Sequence, residues 1–457
     1  MQTRLLIVLG GLTLNRRSIS RGMSYLVLIV LLACPNALSG CVHAKALNKP
    51  GPETGLDLTL LTKGKKVIPL VYQYASMTIT DVKLPDLVIH NGLKRAVTPV
   101  EIEVIGTAKG ERIAEFRVQR EDVVNFANQV NPQITKMKSA SDAKERMAVV
   151  WGDVTIEKAN IAEGATIEPG ESGVLMLSRM LYVHLVGVQS IDALEIHVSV
   201  ENGRGKQEVF LELPLHLYES HVPYVFPIRG NVTVHNMPLN YFWHRQSLSQ
   251  EFALDIITQH PNASGQLMSS RGKNASDLSD YYIYRSEVLA AADGIVVGIS
   301  DSFPDSEIVN PSVWTPQLAN ENVERLAGRI GYQNAGSGNY VILKHAQDEF
   351  TYYGHLCQDS IRVKQGDTVK VGQLLGLVGS TGNSSEPHLH FQAMDSPNPS
   401  TANGLPIKFI DIPPEAMNSY YTRSNSLVDS DCLHLFLLAP DYGSGKGEGG
   451  ASGDKGR

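Results

Sequence analysis

Apolar and polar residues alternate one for one in several short runs along the first half of the chain. Val100-Glu101-Ile102-Glu103-Val104, Leu194-Glu195-Ile196-His197-Val198 and Val209-Phe210-Leu211-Glu212-Leu213 each carry apolar side chains at every second position. That period belongs to a strand with one face in a core and the other toward water. Ile167-Glu168-Pro169-Gly170-Glu171-Ser172-Gly173 reads as a turn, and the apolar run Val174-Leu175-Met176-Leu177 follows it. One short helical patch is expected at 121–130. Short strands separated by turn signals predict a β-sandwich over 57–222.

From residue 223 the pattern changes to short strands rich in glycine and aromatics. The stretch 288–297 reads as a strand with a glycine turn, 338–345 as another, and Gln365-Gly366-Asp367 as a tight turn between strand-like runs. These predict a compact antiparallel β domain over 223–415, so the fold class is all-β throughout. The stretch 301–336 is polar, contains Pro304, Pro311 and Pro316, and lacks strong periodicity, which predicts a long loop over one rim. The segment 416–457 ends in glycine, serine and charged residues and is expected to be mostly disordered.

The N-terminal end changes the picture. Arg16, Arg17 and Arg21 precede an apolar run at 25–32, then small residues, then Cys41. A basic region, a short apolar region and small residues describe an export signal over 1–40. The run is short for a transmembrane helix. Leu38-Ser39-Gly40-Cys41 resembles the bacterial lipobox, which implies lipidation of Cys41 and a membrane anchor; Leu31-Leu32-Ala33-Cys34 is a poorer candidate. Val42, rather than an aspartate, favours the outer membrane by resemblance to known sorting patterns. Residues 41–56 then read as a tether, and the expected location is the periplasmic side of the cell envelope.

A composition of 42% hydrophobic and 19% charged residues excludes a wholly disordered chain. A formal net charge of −7 without a concentrated basic face argues against nucleic acid as a partner. Cys357 and Cys432 could pair in an oxidising compartment or remain separate thiols. His90, His184, His197 and His216 are scattered and read as structural or surface histidines.

His388-Leu389-His390 carries the strongest chemical signal. Side chains at i and i+2 of a strand share a face, so two imidazoles can serve one small site, one holding a metal and the other handling protons. With 14 histidines in the chain, the spacing alone is weak evidence. Its context is more specific. Phe252-Ala253-Leu254-Asp255, Gly338-Asn339-Tyr340-Val341, Tyr352-Tyr353-Gly354-His355-Leu356 and Gly379-Ser380-Thr381-Gly382-Asn383-Ser384 precede it in order.

This ordered set resembles the LytM/lysostaphin-type zinc metallopeptidases, which cleave peptide crosslinks of bacterial peptidoglycan. The resemblance covers 223–412. It implies a small β core with Zn2+ in an open groove, Asp255 and His390 as metal ligands, and His355 and His388 as the catalytic, proton-handling pair. Three protein ligands and an open fourth position suit a catalytic zinc. The chain departs from the pattern at one point: the family's first ligand, a histidine four residues before the aspartate, is Glu251 here. His244, in Trp243-His244-Arg245, is the preferred replacement because imidazole matches the family's set. Glu251 itself and His260 are the alternatives.

Two functions remain in competition. The first is a zinc endopeptidase acting on peptidoglycan peptides from a lipid anchor. The second is a degenerate domain of the same fold that binds peptidoglycan or activates cell-wall amidases, with an envelope protein as partner. Keeping Asp255, His355, His388 and His390 favours the enzyme; losing the first histidine favours the regulator. A lipoyl- or biotinyl-carrier reading fails because Lys370 lacks the flanking residues such carriers use.

Overall fold

The computed structural model describes residues 5–8, 27–30, 55–412 and 433–438. Within 55–412 the residues left out are 62–65, 75–76, 142, 145–146, 148–154, 187–190, 231, 237–243, 245–248, 273–274, 276, 307–320, 322–323, 330 and 400. Cys41, Cys432, most of the expected signal and tether, and most of the expected tail lie outside the described residues. Among the described residues no helix is long and apolar enough to cross a membrane.

The alternating runs of the first half become paired strands. A three-stranded antiparallel sheet joins β1 (Leu56–Leu60), β2 (Leu87–Asn91) and, further along the chain, Ser172–Leu175. The alternating runs lie in β3 (Thr98–Ala108), in Ala193–Glu201 and in Lys206–Pro214, which with β4 (Glu111–Val118) make a four-stranded antiparallel sheet. Ile196 stands opposite both Val104 and Leu211 in it. Leu87, Ile89 and Leu175 from the first sheet and Ile102, Val104, Leu194, Ile196 and Val198 from the second belong to one buried cluster. The period-2 pattern is thus the record of one face being dry and the other wet.

Helix α1 spans Arg120–Lys138, well beyond the patch expected at 121–130. Pro132 lies inside it, and an interior proline costs a helix about 3 kcal/mol or more. Tertiary contacts override that cost. Asn131 donates to the Gly164 carbonyl at 2.7 Å and accepts from the Val174 amide at 2.9 Å, while Val130 and Ile134 are buried. In this region β5 is Ser172–Leu175, β6 is Ala193–Glu201 and β7 is Lys206–Pro214.

The second half is organised by an eight-stranded sheet. Its strands are β8 (Thr233–Asn236), β9 (Leu254–Ile257), β10 (Gly294–Ser300), β11 (Tyr340–Lys344), β12 (Phe350–Gly354), β13 (Thr368–Val369) and β14 (Leu389–Met394), with Gly404–Leu405 added beside β14. The order is β8-β9-β14-β12-β11-β10-β13, and neighbours are antiparallel. Leu389 and Phe391 of β14 enter a core with Leu254, Ile256, Val341 and Tyr353. Alternation therefore turns His388, His390 and Gln392 to the other face, together with Asp255.

Three expectations are refined. The stretch 288–297 is split: Glu287–Leu289 pairs with Leu374–Leu377 in a separate small sheet, and the chain bends at 291–293 before entering β10. Within 301–336, residues 301–306 have no regular structure, but Tyr332–Ser337 is a short helix. In the expected tail, Leu433–Leu438 is a strand parallel to Leu181–Val186, so 416–457 is not irregular throughout.

Candidate metal centre

The register of three strands assembles the site. Asp255 in β9 stands directly opposite His390 in β14, and Gly354, at the end of β12, stands opposite His390 on the other side. His355 follows Gly354 with φ 60°, a left-handed conformation uncommon outside glycine. Its ring lies 4.7 Å from that of His388 and 5.7 Å from that of His390, centroid to centroid. Strained backbone of this kind concentrates at functional sites.

Three imidazole nitrogens surround one carboxylate oxygen. Asp255 Oδ1 is 3.1 Å from His390 Nδ1, 3.2 Å from His244 Nε2 and 3.4 Å from His388 Nε2. All four residues are buried. Each ring's other nitrogen faces a fixed acceptor. His244 Nδ1 lies 3.2 Å from the Ala253 carbonyl, His388 Nδ1 2.7 Å from the Glu386 carbonyl, and His390 Nε2 2.8 Å from Gln392 Oε1. His355 Nδ1 lies 2.7 Å from the Thr381 carbonyl. Those acceptors take the ring N–H and assign the tautomer.

His244 and His390 consequently present lone pairs to the Asp255 carboxylate. Lone pairs facing a carboxylate at this distance repel unless a cation lies between them. Ligands held tetrahedrally at zinc bond lengths are about 3.3 Å apart. The His244, Asp255 and His390 ligand atoms all lie within 4.8 Å of one another, so the residues present fit a metal ion. Glu251 is buried but is not part of this group, and His260 is exposed, its ring against Tyr282.

Charge and burial divide the histidines. Burial pushes the His355 ring well below the ordinary histidine value, and the neighbouring His388 and His390 push it further. Burial also lowers His390. Burial pulls His388 the same way, but the Asp255 carboxylate outweighs it and holds His388 above the ordinary value. For Asp255 itself, burial alone would raise the carboxyl; the positive charge that His244 and His388 carry when protonated outweighs it and holds the carboxyl well below the usual range.

The remaining motif pieces are scaffolding. Thr381 Oγ1 accepts from the Asn339 amide at 2.9 Å and lies 3.0 Å from the Leu356 carbonyl. Asn339 donates to the Phe303 and Leu356 carbonyls at 2.8 and 3.2 Å. Gly338, at φ 63°, approaches this turn so closely that a Cβ there would lie 2.5 Å from Thr381 Oγ1. Three separated motifs are thereby tied into the support of His355. Cys357 is buried and forms no disulfide among the described residues, with Sγ 3.4 Å from Asp305 Oδ2. Sequence reading missed Gln392, although it continues the i, i+2 series of His388 and His390.

Glu103, His197 and Glu208 form a second group with metal-ligand spacing. Its members already have partners: His197 contacts Glu195 at 3.2 Å and Glu208 at 3.0 Å, and Arg117 holds Glu103 at 2.8 Å.

Comparison with known proteins points the same way as the first group. Residues 326–403 match the model of peptidase family M23, a stretch that includes His355, His388 and His390 and follows His244 and Asp255. An uncharacterized metalloprotease of Haemophilus influenzae is 44% identical over 64 residues, 14% of this chain and 13% of that protein. The glycyl-glycine endopeptidase ALE-1 of Staphylococcus capitis is 34% identical over 97 residues, 21% of this chain and 26% of that protein. The peptidoglycan DD-endopeptidase ShyB of Vibrio cholerae is 45% identical over 58 residues, 13% of each. The chain thus matches 13% to 26% of these relatives' lengths. It carries an M23 peptidase domain, homologous to peptidoglycan endopeptidases, which bears out the resemblance read from the ordered motifs.

Proposed function

We propose that this chain is a zinc-dependent endopeptidase that cleaves peptide crosslinks of bacterial peptidoglycan from a lipid anchor in the cell envelope. One observation carries the reading: His244, Asp255 and His390 converge with their lone pairs inward and their ring protons already taken. His244 Nε2, Asp255 Oδ1 and His390 Nδ1 would hold the metal. Zinc bound there supplies a Lewis acid that polarises a carbonyl and lowers the pKa of water.

The other two histidines handle protons. His355, kept neutral by burial, accepts the proton of the attacking water. His388, whose value the Asp255 carboxylate raises, is placed to donate a hydrogen bond, when protonated, to the oxyanion that forms on the scissile carbonyl. Their anchoring on the Thr381 and Glu386 carbonyls holds both rings in place through the reaction.

The regulator reading rested on Glu251 standing where the family pattern has histidine. His244, with Nε2 3.2 Å from Asp255 Oδ1, offers an imidazole in its stead and so supports the enzyme reading. Digestion of crosslinked muropeptides by the purified chain tests the proposal. Release of uncrosslinked products, stopped by a chelator and restored by zinc, is expected. Intact crosslinks with zinc present would rule the activity out.

A further inference from the structure

Gln392 is the third member of the series His388, His390, Gln392, which starts just before β14 and follows one of its faces. It is 2% exposed. Its Oε1 lies 2.8 Å from His390 Nε2, while its buried amide nitrogen finds no hydrogen-bond partner among the described residues. Leaving a buried donor unpaired is unfavourable. A side chain that leaves its donor unsatisfied and still turns its oxygen to the histidine is held there by the bond that oxygen makes.

That bond decides which nitrogen of His390 faces the site. With Nε2–H donated to Gln392, Nδ1 carries the lone pair, 3.1 Å from Asp255 Oδ1. Without an acceptor at that position, the ring proton is free to sit on Nδ1, where it would bond the Asp255 carboxylate directly and occupy the place of a cation. We propose that Gln392 is a positioning residue for the metal: its carboxamide oxygen commits His390 to the tautomer that binds through Nδ1. The inference rests on the zinc reading above. It adds a residue that the ordered sequence motifs do not include.

The chemistry separates two substitutions. Gln392→Leu removes the acceptor and keeps the approximate volume. Gln392→Glu keeps an acceptor for Nε2–H and removes the unpaired donor. Outer partners of metal-bound histidines are typically worth 10–100-fold in metal affinity.

The test is the zinc dissociation constant of the purified full chain, measured by competition with a chromophoric chelator. Thermal unfolding in excess chelator is followed in parallel to separate metal binding from stability. Gln392→Leu is expected to bind zinc 10–100-fold more weakly than the unaltered chain while the chelated forms unfold together. Gln392→Glu is expected to bind zinc at least as tightly as the unaltered chain, which keeps the test decisive if the leucine variant does not fold. Unchanged affinity in Gln392→Leu, or affinity weakened tenfold or more in Gln392→Glu, would overturn the positioning role while leaving the zinc reading intact. An unaltered chain that binds no zinc would overturn both.

Discussion

At the scale of single residues, the open question in the sequence was what stands in for a histidine at Glu251. His-x-His was legible because strand alternation fixes which side chains share a face. Asp255 was legible through its place in the ordered motifs. His244 was a choice among candidates, because no local spacing rule links it to Asp255, eleven positions on; only the tertiary fold brings its Nε2 to 3.2 Å from Asp255. Two substitutions separate the candidates. His244→Ala should weaken zinc binding by tenfold or more, measured by chelator competition, whereas Glu251→Gln should leave it within a few-fold. The reverse order would assign the third ligand to Glu251. His388→Ala should abolish cleavage, read on muropeptides, while the chain keeps most of its zinc, because His388 contributes a proton and not a ligand.

At the scale of elements, alternation was read correctly wherever a strand has one dry face, as at 100–104, 194–198 and 209–213. It was less informative where neighbours decide the outcome. Helix α1 runs past Pro132 because Asn131 and its buried neighbours hold the far side, which propensity cannot foresee. The split of 288–297 follows from pairing with two different sheets, a fact of topology. Gly338 shows how a residue outside the site supports it: its positive φ and its close approach to Thr381 hold the turn whose carbonyl anchors His355. Gly338→Ala should therefore destabilise the chain by about 1–3 kcal/mol, seen as a lower denaturant midpoint, and reduce cleavage. Gly272→Ala, where a Cβ meets nothing within 4 Å and φ is ordinary, should change stability by no more than about 0.5 kcal/mol.

At the scale of the whole molecule, the leader and lipid anchor proposed for residues 1–41, joined to an M23 peptidase domain, would hold an enzyme near its polymer substrate. A lipid on Cys41 would confine the chain to a membrane surface, so catalysis would depend on how far residues 41–56 let the domain reach. Cys41→Ser should move the protein from the membrane fraction to the soluble fraction of the envelope, followed by fractionation and immunoblotting; retention in the membrane would point to another mode of attachment.

The central claim is that His244, Asp255 and His390 form one zinc site. Zinc per chain, measured by native mass spectrometry on protein prepared with ample zinc, addresses it most directly. The account predicts about one zinc in the unaltered chain and almost none in Asp255→Ala. A metal-free unaltered chain, or full zinc retention in Asp255→Ala, would contradict it.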